Sequence, residues 1–353
     1  MIVLITGGCG FVGFNLAMKL RRDYSDFRII CFDNLKRKGS DLNLLKLKQS
    51  NIEFLHGDVR IASDFLNIGH IDVLIEAAAE PSVLAGINGS TDYVIDTNLN
   101  GTINCLNYAL KYNALFIFLS TSRVYPIKTL ESAFWSESDY RFDWTEKQNI
   151  GGLSANGVSE KLSLEGYRSL YGATKLASEL IIQEYQQMFN LRTIINRCGV
   201  ITGPYQMGKI DQGVVVLWAA KHYWKGKLSY IGYGGLGKQV RDMVHIEDLY
   251  RLLNFQIFNF NNLKSKLYNV GGGLDGSLSL MELTDLCERY SGNKINIIQS
   301  SEIRPADLRI YVTDNTLVTE ETGWQPLIKP DQILQEIFDW IGEDEAILKD
   351  ILA

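Results

Sequence analysis

Residues 2–16 read IVLITGGCGFVGFNL, and the fold turns on how this stretch is read. Ile2 to Thr6 is an apolar, β-branched run suited to a buried strand, and Gly7, Gly10 and Gly13 follow at G-x-x-G-x-x-G spacing at a strand-to-helix junction. Glycine serves at such a junction because a side chain would block the tight turn, the close approach of a pyrophosphate and the packing of helix on strand, while the helix N-terminus faces the anion. A glycine triplet alone is weak, but its context is stronger. Asp33 closes a second strand candidate about 20 residues beyond Gly13, where a carboxylate can accept hydrogen bonds from the hydroxyls of an adenosine ribose. The stretch predicts a dinucleotide-binding βαβ unit at the head of a doubly wound parallel sheet, a Rossmann fold of the α/β class.

Working outward, short strand-like runs at Ile2 to Thr6, Phe27 to Phe32, Ile52 to Leu55, Val73 to Glu76 and Leu115 to Ser120 alternate with helix-length segments, and Arg192 to Asn196 is a further strand candidate. That rhythm implies parallel strands joined by right-handed crossovers. Apolar residues recur at helical intervals at Leu99, Ile103, Leu106 and Leu110, and again at Leu176, Leu180, Ile181 and Tyr185, giving two amphipathic helices that can pair. Past these the alternation becomes irregular and glycine-rich stretches interrupt it. The expected organisation is a Rossmann domain over residues 1–199, to which a segment near 243–270 returns, and a smaller mixed C-terminal domain over residues 200–353 that binds substrate. No linker separates them, so a cleft is expected between them.

Composition excludes several classes. Of 353 residues, 35 are Lys or Arg and 41 Asp or Glu, a formal charge of -6 without like-charge blocks, which argues against a nucleic-acid partner. No apolar stretch reaches the roughly 18 residues of a membrane span, and the first apolar run is too short for a secretory signal, so a cytoplasmic location and no membrane partner are expected. The cysteines Cys9, Cys31, Cys105, Cys198 and Cys287 are odd in number and scattered, and the four histidines show no ligand spacing, so neither disulfides nor a metal is expected.

Two stretches carry reactive side chains. Tyr171-Gly-Ala-Thr-Lys175 would present a phenol and an ammonium on one helix face, where the Lys charge favours the phenolate, the form that removes a proton from a sugar hydroxyl. Residues 116–125, FIFLSTSRVY, read as a strand ending in hydroxyls at the edge of a parallel sheet where doubly wound folds bind ligands. Asp33 would repel a 2′-phosphate and so favours NAD, although Lys36, Arg37 and Lys38 just beyond it leave NADP open.

Together TGGCGFVG, Phe32-Asp33-Asn34, Gly57-Asp58-Val59, Asn98-x-x-Gly101-Thr102, Ser120-Thr121 ahead of Val124-Tyr125, and Tyr171-x-x-x-Lys175 resemble the extended short-chain dehydrogenase/reductase superfamily of nucleotide-sugar epimerases and dehydratases. Within it, FDNLKRKG at 32–39, DQG at 211–213, GKQVRDMVHIED at 237–248, NVGGGLDGSLSLMEL at 269–283 and RPADLR at 304–309 are similar to the 2-epimerases of CDP-sugars. The resemblance implies NAD as cofactor, a nucleotide-sugar substrate, CDP-linked, and a homodimer or homotetramer. It makes Tyr171 the base, Lys175 its electrostatic partner and a nicotinamide-ribose ligand, and Thr121 the hydroxyl on the reacting sugar oxygen. Gly7, Gly10, Phe11, Val12, Asp33, Asn34, Asp58, Val59, Ala77, Ala78, Ala79 and Asn98 would line the cofactor. Ser122, Arg123, Arg241, Arg304 and Arg309 would face substrate, the last three holding its diphosphate. Alternatively Arg304 and Arg309 are ion-pair partners of Asp307, and Asn269 caps a turn.

Three departures from the family pattern stand out. Glu76 occupies a strand end where the family often has His, Glu80-Pro81 replaces small polar residues, and Pro126 replaces Gly after Val-Tyr. The family's dehydratases place Asp-Glu directly after the Thr to eliminate water. Ser122 and Arg123 stand there instead, which leaves epimerisation as the expected chemistry, with a UDP-hexose 4-epimerase, or a reductase or dehydratase of the same fold, the alternatives.

Overall fold

The computed structural model describes residues 1–87, 89–208 and 212–353, so Asp211 of the DQG motif lies outside the described residues. Seven strands form the central sheet: β1 (Ile2–Thr6), β2 (Arg28–Asp33), β3 (Glu53–His56), β4 (Val73–Glu76), β5 (Leu115–Thr121), β6 (Thr193–Cys198) and β7 (Leu267–Val270). Their spatial order is β7-β6-β5-β4-β1-β2-β3, and the registers from β3 through β5 are all parallel. Because β1 pairs with both β2 and β4, the winding reverses between β1 and β4, and the topology points to their C-terminal ends as the binding edge.

The flanking helices include α1 (Phe11–Asp23), α2 (Gly101–Tyr112) and α3 (Leu170–Phe189). Ser169 caps α3 by accepting from the Gly172 N–H at 3.2 Å, and Asn190, left-handed at φ 55°, ends it. One turn departs from sequence periodicity: Asp96–Asn100, just ahead of α2, is a π-helix. The Leu99 to Tyr112 pattern therefore becomes regular α-helix only from Gly101. Leu4, Ile30, Phe32 and Leu74 of the sheet are fully or almost fully buried with Leu106 of α2 and Ile182 of α3, a core of the kind that gives a parallel sheet its continuous hydrophobic runs.

The chain divides into two compact units of similar length. The first comprises Met1–Val124, Ser169–Arg197 and Tyr250–Tyr268. The second comprises Tyr125–Arg168, Cys198–Leu249 and Asn269–Ala353, so residues 125–168 belong with it. The reason is visible in its sheets: Val158 pairs with Thr313, and the Phe142 N–H donates to the Lys238 carbonyl. The second unit is built on a mixed sheet of Val200–Thr202, Val240–His245, Ser277–Ser279 and Ile310–Tyr311. Helices Val214–Tyr223, Leu280–Ser291 and Pro330–Glu343 share a second core.

Candidate active site

Thr6 and Glu76 are register partners at the ends of β1 and β4, and the chain leaves them through Gly7 and Ala77. Gly7 has φ 65°, and a Cβ there would lie 2.8 Å from the Ala77 carbonyl oxygen and from the Ala78 nitrogen. A Cβ at Gly13 would run into the Gly7 carbonyl. The cradle is therefore closed to any larger residue. Gly10 caps α1 in extended conformation without a side-chain hydrogen bond, leaving the N–H groups at the start of α1, which begins with Phe11 and Val12, for an anion. Cys9 within the loop is buried, its thiol pushed up to about 12 by desolvation and the Asp33 charge, so it is no nucleophile.

Asp33 ends β2 and ties the loop together, accepting from the Cys9 N–H at 3.0 Å and the Leu35 N–H at 2.7 Å. Burial pushes its carboxyl above the usual range, and the N–H groups of Leu35 and Cys9 pull the other way. Asn34 donates to Asp58 at 2.9 Å, and Arg60 does so at 2.6 Å. Burial would raise the Asp58 carboxyl, but Arg60 and Asn34 outweigh it and hold it down at about 2. Val59 is buried beside Gly101, where a Cβ would lie 2.8 Å from its Cγ2. Of the basic run beyond Asp33, Lys36 is turned onto Tyr93 with its Nζ 3.1 Å from the ring centroid, and Arg60 covers the same ring at 4.9 Å. Lys36 is thereby engaged away from a 2′-phosphate, and the loop fits NAD.

Ala77, Ala78 and Ala79 continue from β4, with the Ala77 N–H donating to the Thr6 carbonyl at 3.2 Å. Asn98, fully buried in the π turn, holds the next loop from both sides. It accepts from the Glu80 N–H at 2.8 Å and donates to the Glu80 carbonyl at 3.0 Å and to Thr174 Oγ1 at 3.3 Å. The unusual Glu80-Pro81 pair is thus pinned through its backbone to the helix that carries Tyr171.

Thr121 ends β5, and its Oγ1 accepts from the Arg123 N–H at 3.2 Å, an arrangement that leaves its own hydroxyl proton for another acceptor. Ser122 and Arg123 form the 3₁₀ turn that follows. Tyr171 and Lys175 lie four apart on α3, both buried. Lys175 donates to the Leu119 carbonyl of β5 at 2.9 Å with its Nζ 4.2 Å from the Phe118 ring centroid, so the ammonium fastens the Tyr171 helix to the Thr121 strand. Deeper in the same layer, Glu179 of α3 and Arg197 of β6 form a buried ion pair at 2.7 Å, and Ser120 donates to Glu179 at 2.5 Å.

Within the second unit, Arg241 pairs with Asp307 at 2.8 Å and donates to the Leu308 carbonyl at 2.6 Å. The carboxylate sought for Arg304 or Arg309 in the RPADLR stretch is thus taken by Arg241, because the sheet sets Arg241 opposite Tyr311 and brings residues 307–308 under its guanidinium. Arg309 pairs with Glu131 at 3.2 Å, and its guanidinium carbon lies 4.3 Å from the Trp135 and 4.9 Å from the Tyr233 ring centroid. The Arg304 carbonyl accepts the Asp307 N–H in the turn between them. Asn269 is not a turn cap: fully buried, it accepts from Tyr125 Oη at 2.7 Å and donates to the Val158 carbonyl at 2.9 Å. Pro126 is the N-cap of the short helix Ile127–Glu131.

The sequence reading missed the buried Glu179–Arg197 pair and the Glu76–Thr102 contact at 2.6 Å. The sole forewarning was a carboxylate at the end of an otherwise apolar strand. Among the described residues, no group of three or more His, Cys, Asp or Glu could hold a metal ion, and no helix is long and apolar enough to cross a membrane.

Comparison with known proteins adds the following. The NAD dependent epimerase/dehydratase family matches residues 3–271. The chain is 32% identical over 349 residues to CDP-paratose 2-epimerase of Salmonella typhi, covering 96% of this chain and 99% of that protein. In fold it resembles the UDP-glucose 4-epimerase of Thermotoga maritima solved with UDP-glucose (TM-score 0.78, 20% identity, 98% of this chain and 100% of that one). It also resembles the dTDP-glucose 4,6-dehydratase of Bacillus anthracis solved with NAD (TM-score 0.75, 22% identity, 99% of each chain).

Proposed function

The chain belongs to the NAD dependent epimerase/dehydratase family, and on that footing we propose that it inverts C2 of a CDP-linked dideoxyhexose, converting CDP-paratose to CDP-tyvelose for lipopolysaccharide sugar biosynthesis. The observation that carries this reading is the 32% identity to a CDP-paratose 2-epimerase along 96% of the chain. The Ser122-Arg123 pair after Thr121 supports it, since neither side chain suits the acid and base roles that elimination of water requires.

Gly7, Gly10, Phe11 and Val12 hold the pyrophosphate of NAD, Asp33 and Asn34 its adenosine ribose, Asp58 and Val59 its adenine, and Ala77, Ala78, Ala79, Asn98 and Lys175 its nicotinamide half. When bound, NAD supplies the hydride acceptor and donor. The protein's own work is proton transfer and positioning. Tyr171 as phenolate takes the C2 hydroxyl proton, Thr121 keeps its own proton and donates a hydrogen bond to the same sugar oxygen, and the Lys175 charge favours the phenolate. The resulting C2 ketone presents its opposite face, and Tyr171 returns the proton. Ser122 and Arg123 contact the sugar, and Arg241, Arg304 and Arg309 hold the diphosphate. For Arg241 and Arg309, Asp307 and Glu131 orient the planar guanidinium groups.

Substrate deuterated at C2 distinguishes the mechanisms. The expected result is an inverted product that keeps its deuterium at C2 in ordinary water. Wash-out to solvent would mean proton abstraction beside a carbonyl formed elsewhere, accumulation of a keto sugar would mean dehydration, and turnover only of UDP-hexoses at C4 would mean a 4-epimerase.

The chain also acts as a homo-oligomer in this reading. Leu180, Met188 and Phe189 are exposed on α3, an apolar surface that a second copy packing through α2 and α3 would bury. Light scattering at micromolar concentration should give the mass of a dimer or tetramer, and a monomeric mass would refute this.

A further inference from the structure

Glu76 is the departure from the family pattern that the proposed function leaves unused. It ends β4 at 1% exposure, between Thr6 of β1 and Phe118 of β5. Its Oε1 lies 2.6 Å from Thr102 Oγ1, and its Oε2 is buried with no hydrogen-bond partner. Thr102 Oγ1 also lies 2.8 Å from the Asn98 carbonyl, and Ser178 Oγ lies 2.8 Å from that carbonyl and 3.0 Å from the Thr174 carbonyl.

Counting protons decides how these contacts are made. Thr102 brings one hydroxyl hydrogen, and its two contacts need two. If Glu76 is ionised, Thr102 must give its only hydrogen to the carboxylate, and the 2.8 Å approach to Asn98 is then oxygen against oxygen. If Glu76 carries a proton, it donates to Thr102 and Thr102 donates to Asn98. Both Thr102 contacts are then hydrogen bonds, and the Ser178 hydrogen serves the Asn98 or the Thr174 carbonyl in either state. The unpartnered Oε2 is also tolerable as the carbonyl oxygen of a neutral acid, whereas a buried carboxylate oxygen without a donor is costly.

We infer that Glu76 is a positioning residue held as a neutral carboxylic acid in the active protein, where it fixes the Asn98 turn through Thr102 and sets no negative charge near Lys175. For its catalytic half this rests on the reading of Tyr171 and Lys175 given above; the protonation itself does not. The titratable groups facing Glu76 are Lys175 from α3 and the Cys105 thiol from α2. Burial raises the Glu76 carboxyl to about 7, against the pull of Lys175 and the Thr102 hydrogen bond, and burial pushes the Cys105 thiol up so that it stays neutral. Ionisation of Glu76 would set a negative charge near Lys175, weaken its support of the Tyr171 phenolate, and withdraw the Thr102 proton from Asn98, whose side chain holds both Glu80 and Thr174.

The test is infrared spectroscopy of the full-length protein with its cofactor, joined to pH profiles. The protonated-carboxyl C=O band should fade as pH rises through about 7 and be missing in Glu76→Gln. In Thr102→Ala it should move to higher frequency, because the acid loses its acceptor. Wild-type turnover should fall by up to about tenfold above neutrality, while Glu76→Gln stays level. Stability gives a readout that needs no substrate. The folded carboxyl lies above its ordinary value of 4.5, so its contribution is full below about 4.5 and is lost as pH rises through about 7. The wild type should therefore lose thermal stability relative to Glu76→Gln across that window. A carboxyl band unchanged by Glu76→Gln, or parallel stability profiles, would overturn the protonation. A wild-type pH–rate profile in Glu76→Gln would overturn the link to Lys175. Failure to turn over any CDP-sugar would count against the proposed function and leave the infrared and stability tests standing.

Discussion

Tyr171→Phe should lower turnover by about 100- to 10,000-fold while leaving NAD bound. The substitution removes one oxygen and keeps the ring, and Tyr171 is buried in the first turn of a helix capped by Ser169, so its neighbours retain their packing. The loss corresponds to about 2.7–5.5 kcal/mol of barrier, the size expected when a positioned base is deleted and solvent must take its place. The glycine cradle and Asp33, to which the proposed function assigns the adenosine end, are formed by β1, α1 and β2 and do not depend on the phenol. Cofactor released by acid precipitation should therefore equal that of the wild type, and single-turnover rates should carry the whole effect. Near-normal turnover would remove Tyr171 from the chemistry and pass the base role to another group at the end of β5.

What could be read in the sequence was local. Ile2–Thr6 and Val73–Glu76 are strands because short apolar runs end at small residues, and both appear with the bounds expected. The Tyr171 to Lys175 spacing needs only helical geometry, and Ser169 at the N-cap supplies it. What escaped was set by contacts between distant segments. Leu267–Val270 is four residues ahead of a glycine run and becomes a strand because the Ile195 N–H finds the Lys266 carbonyl. The π turn at Asp96–Asn100 has ordinary helical periodicity, and its Asn98 carbonyl is taken up by the hydroxyls of Thr102 and Ser178, the latter from α3. Asp307 neighbours Arg304 and Arg309 in sequence yet pairs with Arg241, because sheet register outweighs proximity along the chain. Glu76 reads in sequence only as a misfit; its meaning lies in Thr102 and Lys175, which the sheet and two helices bring to it.

The same layering makes Glu179→Ala a severe lesion of stability. Arg197 directs its Nη2 to Glu179 Oε2 at 2.7 Å and its Nε to both carboxylate oxygens at 3.1 Å, and Ser120 donates to Oε1. Both ionic partners are almost wholly excluded from water. Deleting the carboxylate removes its ionic partner from a buried guanidinium that cannot lose its proton, and the expected cost is about 3–5 kcal/mol, read as a lowered urea midpoint. Glu179→Gln should fall between, since it keeps the shape and one acceptor but not the charge. The double replacement Glu179→Leu with Arg197→Met should recover most of the loss, because a buried pair repays its own desolvation poorly and an apolar pair of similar volume avoids the debt. Turnover per folded molecule should change little in that double variant, since Lys175 still ties α3 to Leu119 and Thr121 still ends β5. If Glu179→Ala unfolds at the wild-type midpoint, the pair contributes nothing to the fold.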